Sequence, residues 1–127
     1  MAAVLDDLAA HYRLKARHRV ALTTRDGRRG DLDHVLIVRR RPRFIIAIET
    51  KAERPHPAHL QQVCANAERA SRRHFKSAPQ YRIVVHPNSR EPVAYDPDTR
   101  AARMGLPYLP DYVRSLLDGA HPDRLAP

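Results

Sequence analysis

The order of apolar and polar positions along this chain predicts a small mixed structure of helices and strands. Val4, Leu5, Leu8 and Tyr12 recur at helical spacing, so an amphipathic helix is expected over Ala2 to Tyr12, covering one edge of the core. From Val20 to Thr24 β-branched residues alternate with smaller ones, Asp26-Gly27 is a turn signal, and strand character resumes from Asp31 to Val38. Together these read as a hairpin. A second turn, carrying Pro42, leads into a strand over Arg43 to Thr50. The runs Val35-Leu36-Ile37-Val38 and Phe44-Ile45-Ile46-Ala47-Ile48 are nearly unbroken apolar stretches, as in strands buried on both faces.

Beyond Lys51 the segment AERPHPAH carries two prolines and cannot be helical throughout. From Pro57 the pattern changes to Leu60, Val63, Cys64, Ala67, Ala70 or Ser71, and Phe75, which predicts a long amphipathic helix with a basic end at Arg69, Arg72, Arg73 and Lys76. A strand over Tyr81 to Val85 stops at His86-Pro87-Asn88-Ser89. The stretch through Asp96-Pro97-Asp98 reads as loop, with a short strand at Val93 to Tyr95. Pro110 to Leu117 closes the chain as a helix that can pack Tyr112, Val113, Leu116 and Leu117 inward, and the final HPDRLAP is expected to fray.

Length confines this pattern to one domain, residues 1–127 with a core over about 18–118: 127 residues can bury one core but not two. There is no internal repeat, glycine-rich phosphate loop or low-complexity tract. Charge changes the picture more. The formal net charge is +9, and with Lys15, Lys51 and Lys76 the only lysines, 20 of the 23 basic residues are arginine. Arginine's planar fork suits phosphate oxygens, so a polyanionic partner is favoured over a basic surface kept for solubility. Cys64 is alone, which excludes an intramolecular disulfide and a cysteine-based zinc site and fits a reducing cytoplasm. The first residues lack the basic start and apolar centre of a signal peptide, and no apolar run approaches the roughly 20 residues of a membrane span. A soluble cytoplasmic protein is the expectation.

The candidate chemistry lies where the two apolar strands end. Asp33 opens one, and Glu49-Thr50-Lys51 closes the next. Phosphodiester hydrolysis needs a water made nucleophilic near neutral pH and a counter-charge for the developing oxyanion, and a divalent metal supplies both. Mg²⁺ takes oxygen ligands and keeps several waters, so Asp33, Glu49 and the carbonyl of Thr50 would suffice to hold it, with Mn²⁺ a substitute. Residues two apart on a strand share a face, which places Lys51 beside Glu49 to hold or help deprotonate the water. A lone Glu-x-Lys is most often an ordinary ion pair; the preceding Asp33 and the position at strand ends favour the functional reading.

The order Asp33, then Glu49-Thr50-Lys51, resembles the PD-(D/E)xK nuclease superfamily. Within it GDLDHVLIV followed by FIIAIETK is most similar to the nuclease-related domain called NERD. The likeness covers roughly residues 20 to 117 and includes a glutamine on the following helix, here Gln61-Gln62, then a strand and a terminal helix like YRIVVHPN and LPYLPDYVRSLL. It implies a restriction-endonuclease-like α/β core, with a central mixed sheet flanked by helices, and Mg²⁺-dependent cleavage of DNA. Helical geometry prefers Gln61, which borders the stripe through Leu60, Val63 and Cys64, whereas Gln62 turns about 200° away from Leu60. Members of that family often add a glutamate from the first helix, where this chain offers only Asp6 and Asp7.

Around this site, His34 would face away from Asp33 as a structural histidine, His56 and His59 read as loop residues, and Asp31 is an alternative to Asp33. Arg39, Arg40, Arg41 and Arg43 form a turn that is solvated or grips phosphates, as Arg69, Arg72 and Arg73 could from the helix. Such contacts give salt-sensitive affinity with little sequence preference. Three competing functions stay open: a structure-selective nuclease like the Holliday-junction resolvases, a non-catalytic binding module of the same fold, and an RNA-associated protein. Five Tyr, two Phe and no Trp make a poor stacking platform and rank the last lowest. DNA versus RNA, dimerisation and a targeting partner are not decided by the sequence.

Overall fold

The computed structural model describes residues 1–23, 29–39, 44–52, 80–98 and 101–118, with backbone alone at 21–23, 29–32 and 80. Helix α1 spans Ala2–Tyr12. It ends at Arg13, whose left-handed backbone (φ 58°) turns its N–H back to the Ala9 carbonyl, while the Leu14 N–H reaches the same oxygen at 2.8 Å. The chain therefore leaves the helix directly into β1 (Lys15–Thr23), followed by β2 (Arg29–Val38), β3 (Phe44–Thr50), β4 (Gln80–His86), β5 (Ala94–Asp96) and β6 (Ala101–Gly105). A 3₁₀ turn, Leu106–Tyr108, leads into helix α2 (Leu109–Leu117).

The six strands form one mixed sheet in the order β1-β2-β3-β4-β6-β5. β1, β2 and β3 are antiparallel, β3, β4 and β6 run parallel, and β5 returns antiparallel on the outer edge. Parallel neighbours need a crossover of a dozen or more residues, and the chain from 51 to 79 is long enough to supply one between β3 and β4.

One face of the sheet carries Leu36, Val38, Phe44, Ile46, Ile48, Ile83, Val85, Ala102 and Met104. They pack against Leu5 and Ala9 of α1 and Leu109, Tyr112, Val113 and Leu116 of α2. The alternate residues, Val35, Ile45, Ala47, Val84 and Ala101, are buried as well, so the central strands are covered on both sides. This is why β2 and β3 read as continuous apolar runs rather than alternating ones. α2 starts with Pro110 in its first turn, which suits the fixed proline φ, and sets its apolar stripe on the sheet.

The expected first and last helices and the central strands are present. Two features differ from expectation. β1 begins at Lys15, five residues before Val20, and Ala101–Gly105 forms a strand where none was expected. The turns expected at Asp26-Gly27 and Pro42, the helix expected from Pro57 to Lys76 and the fraying expected of the terminal HPDRLAP fall outside the described residues.

Candidate functional site

The antiparallel ladder between β2 and β3 runs from Val38↔Phe44 to His34↔Ile48. One step further, Asp33 stands opposite Glu49, and directly opposed residues in such a pair have Cβ atoms about 4.5–5.5 Å apart. Here the side chain takes over from the backbone: Asp33 Oδ2 accepts the Thr50 N–H at 2.8 Å. A strand end leaves backbone donors without ladder partners, and a carboxylate satisfies one while its own position becomes fixed. Oδ1 of Asp33 takes no partner among the described residues.

Glu49 follows Ile48 on β3 and so faces away from the helices. It is 4% exposed, deep for a carboxylate, and is one of two buried polar or charged residues described, with His86. A charge at this depth is retained only when paired or metal-bound, and Glu49 is not without a contact. Thr50, opposite Val85 on β4, has its Oγ1 buried with no hydrogen bond among the described residues.

Lys51 lies just past the end of β3, half-exposed, and its backbone is held on both sides. Its N–H donates to the Val85 carbonyl at 2.9 Å, and its carbonyl accepts from His86 Nδ1 at 3.0 Å. Because a carbonyl can only accept, Nδ1 of His86 carries the proton in this contact. The last residue of β4 thus fixes where the Lys51 side chain starts. Sequence reasoning placed His86 at a strand end and assigned it no role; the signal was its position one residue past Val85 in a parallel neighbour, which needs the register to be read.

The sheet therefore gathers Asp33, Glu49, the Thr50 backbone and Lys51 where β3 ends alongside the middle of β2, which continues past Asp33 to Arg29 in its pairing with β1. Of the other candidates, Arg39 is exposed just after β2. Gln61, Gln62, His56, His59, Arg40, Arg41, Arg43, Arg69, Arg72 and Arg73 lie outside the described residues, as does the side chain of Asp31.

His34 turns to the helix-covered side, away from Asp33, as expected of a structural histidine. There it meets His18, its partner across β1 and β2, with Nδ1 to Nδ1 at 2.7 Å and the rings edge to face. Asp6 of α1 bonds His18 Nε2 at 2.8 Å. A carboxylate only accepts, so Nε2 of His18 donates to Asp6. Burial, reinforced by His18, lowers the His34 pKa below its ordinary 6.5, against the opposing pull of Asp33. Asp6 is thus engaged on the face opposite Glu49.

Among the described residues, no three or more His, Cys, Asp or Glu side chains are gathered to hold a metal ion. Two carboxylates and a backbone carbonyl are a smaller donor set, all hard oxygen, which suits a cation that keeps most of its own waters. No protein-family model matches the chain, and no curated protein or solved structure is significantly similar to it. No described helix is long and apolar enough to cross a membrane.

Proposed function

We propose that this protein is a Mg²⁺-dependent DNA nuclease of the PD-(D/E)xK type with a restriction-endonuclease-like core, nearest in its motif to the NERD domains. The observation that carries the reading is the joining of Asp33 to the Thr50 amide at the point where Glu49 and Lys51 close the central strand. Two consecutive antiparallel strands bring Asp33 opposite Glu49 where β3 ends, and in this reading Lys51, two residues on, shares their face.

Asp33, Glu49 and the Thr50 carbonyl would hold the metal, which when bound supplies an activated water and a counter-charge on the phosphoryl oxygens. The chain's own residues do the positioning. Asp33 is oriented through Oδ2, which keeps Oδ1 for a ligand. Glu49 is fixed in a low-dielectric setting where its charge acts strongly on a nearby cation. Lys51 holds a proton next to the attacking water and steadies charge on the scissile phosphate. The charge of +9 supplies a general attraction for the DNA backbone.

The decisive experiment is cleavage of plasmid and linear DNA in Mg²⁺, Mn²⁺ or EDTA by the wild type, Glu49→Ala and Lys51→Ala. Metal-dependent cutting that disappears in both variants supports the reading; cutting that survives Lys51→Ala overturns the assignment of Lys51.

One observation favours a second reading, a non-catalytic DNA-binding module on the same fold. The first helix packs on the face opposite Glu49, where Asp6 is bonded to His18. DNA binding that is indifferent to Mg²⁺, without cutting, would support this reading over the first.

A further inference from the structure

From Arg13 to Val20 the sequence alternates strictly, RLKARHRV, and the structure turns this alternation into two different faces of β1. Leu14 and Ala16 pack on the core and His18 meets His34, whereas Arg13, Lys15, Arg17 and Arg19 are all exposed. Among the described residues β1 is the outermost strand, with β2 on one side and no strand on the other. Alternate residues on a strand are about 6.6–6.8 Å apart, close to two base steps at 3.4 Å of rise along one DNA strand. Charged side chains, lysine especially, also guard edge strands against sheet-to-sheet pairing, but three of these four are arginine, whose planar fork suits phosphate. Four cations with no anion among them fit a polyanion.

The stripe also has a direction. In the β1–β2 register His18 faces His34 and Val20 faces Leu32, so Arg19 stands opposite Asp33, and no bridge forms there. Arg19 has φ 50°, a left-handed backbone that a non-glycine residue seldom adopts and that clusters at functional sites. Across the sheet, Arg19, Asp33 and Glu49 occupy successive register positions.

We infer that the exposed edge of β1 is the track that receives the DNA backbone, with Lys15 and Arg19 as phosphate contacts and Arg19 delivering the strand to Asp33. Arg17 lies between them and also takes part in a contact of its own. The identity of the partner rests on the nuclease reading; the location of the track rests on β1 alone.

The test is binding of a fluorescent DNA duplex in EDTA over a KCl series, comparing the wild type with Lys15→Gln/Arg19→Gln and with Arg90→Gln/Arg114→Gln. The two variants remove equal charge from exposed positions. The β1 variant should lower the slope of log K against log salt by about 2, at roughly 0.9 per phosphate contact, and weaken binding tenfold or more at low salt. The control should lose far less. Lys15→Arg/Arg19→Lys, which keeps both charges, should bind like the wild type, separating charge from any effect on folding. Equal losses in the two Gln variants, or none, would overturn the inference, as would a wild type that binds phosphatidylserine vesicles and not DNA. Because EDTA removes cutting from the measurement, the two readings fail separately. Slope loss in a protein that never cuts keeps the track and sinks catalysis, while metal-dependent cutting with equal losses keeps catalysis and sinks the track.

Discussion

Asp33 Oδ2 and the Thr50 amide nitrogen are 2.8 Å apart, and that bond replaces the next rung of the β2–β3 ladder after His34↔Ile48. One carboxylate thereby does two jobs: it finishes the β2–β3 ladder and stands beside Glu49. Asparagine separates them, since its amide oxygen still accepts the Thr50 N–H but carries no charge. Asp33→Asn should keep stability within about 1 kcal/mol of wild type, whereas Asp33→Ala, which strands the amide, should lose about 1–3 kcal/mol in urea unfolding. Both should lose metal-dependent cutting by a hundredfold or more. Full activity in Asp33→Asn would remove Asp33 from the metal ligands.

His86 holds the Lys51 carbonyl from the end of β4 while buried to 2% exposure. Its removal should be felt at Lys51 before it is felt elsewhere. His86→Ala should cost about 1–3 kcal/mol, because it leaves a carbonyl without its donor, and should lower cleavage tenfold or more. His86→Asn can place an amide donor near the position of Nδ1 and should recover most of the loss. Amide hydrogen exchange at Lys51 gives a check independent of activity: protection should drop in His86→Ala and return in His86→Asn. Unchanged protection in both would mean that Val85 alone positions Lys51.

The His34 pKa is lowered by burial and by His18, so the sign of its pH effect is fixed. Between the lowered folded value and the ordinary 6.5, the unfolded chain binds more protons than the folded one, and stability rises with pH across that window. This contribution is full above 6.5 and is lost on acidification until the folded value is passed. In metal-free buffer, the thermal midpoint of wild type should fall as pH drops from 7 to 5 more steeply than that of His34→Gln. A variant with the same slope as wild type would assign the acid sensitivity to other groups.

How much of this was legible in the sequence depends on what kind of signal each element gives. Val35 to Val38 and Phe44 to Ile48 announce themselves because strands buried on both faces need no polar side, and α2 does so through its apolar stripe. The start of β1 is also written in the sequence, as the alternation from Leu14 to His18, but with arginine and lysine on one face it resembles a charged connector until the sheet supplies β2 as its partner. Ala101–Gly105 carries almost no strand propensity: two alanines, an arginine, a methionine and a glycine are strand because β4 and β5 flank them. The charges of Asp33, Glu49 and Lys51 could be picked out one by one. That Asp33 would bond the Thr50 amide, and that His86 would reach Lys51, depends on register and on strand order, which no local pattern encodes.

Gly105, opposite His86 in the β4–β6 register, tests whether β6 supports the site. A Cβ at this position would overlap the Ser89 carbonyl oxygen and lie 2.8 Å from the Ser89 carbon, both backbone atoms, so no side-chain movement relieves it. The glycine lets the loop after β4 close on β6: Gly105 N–H donates to the Glu91 carbonyl at 2.9 Å, and Ser89 N–H to the His86 carbonyl at 3.1 Å. Gly105→Ala must therefore push the 89–91 segment outward, at a cost of about 1–3 kcal/mol for overpacking, read as a lower urea midpoint. Because Ser89 is tied to His86 and His86 to Lys51, the same substitution should reduce hydrogen-exchange protection at Lys51 although it lies outside the site. If stability falls and Lys51 protection does not, the loop is a separate unit, and the positioning of Lys51 ends at His86.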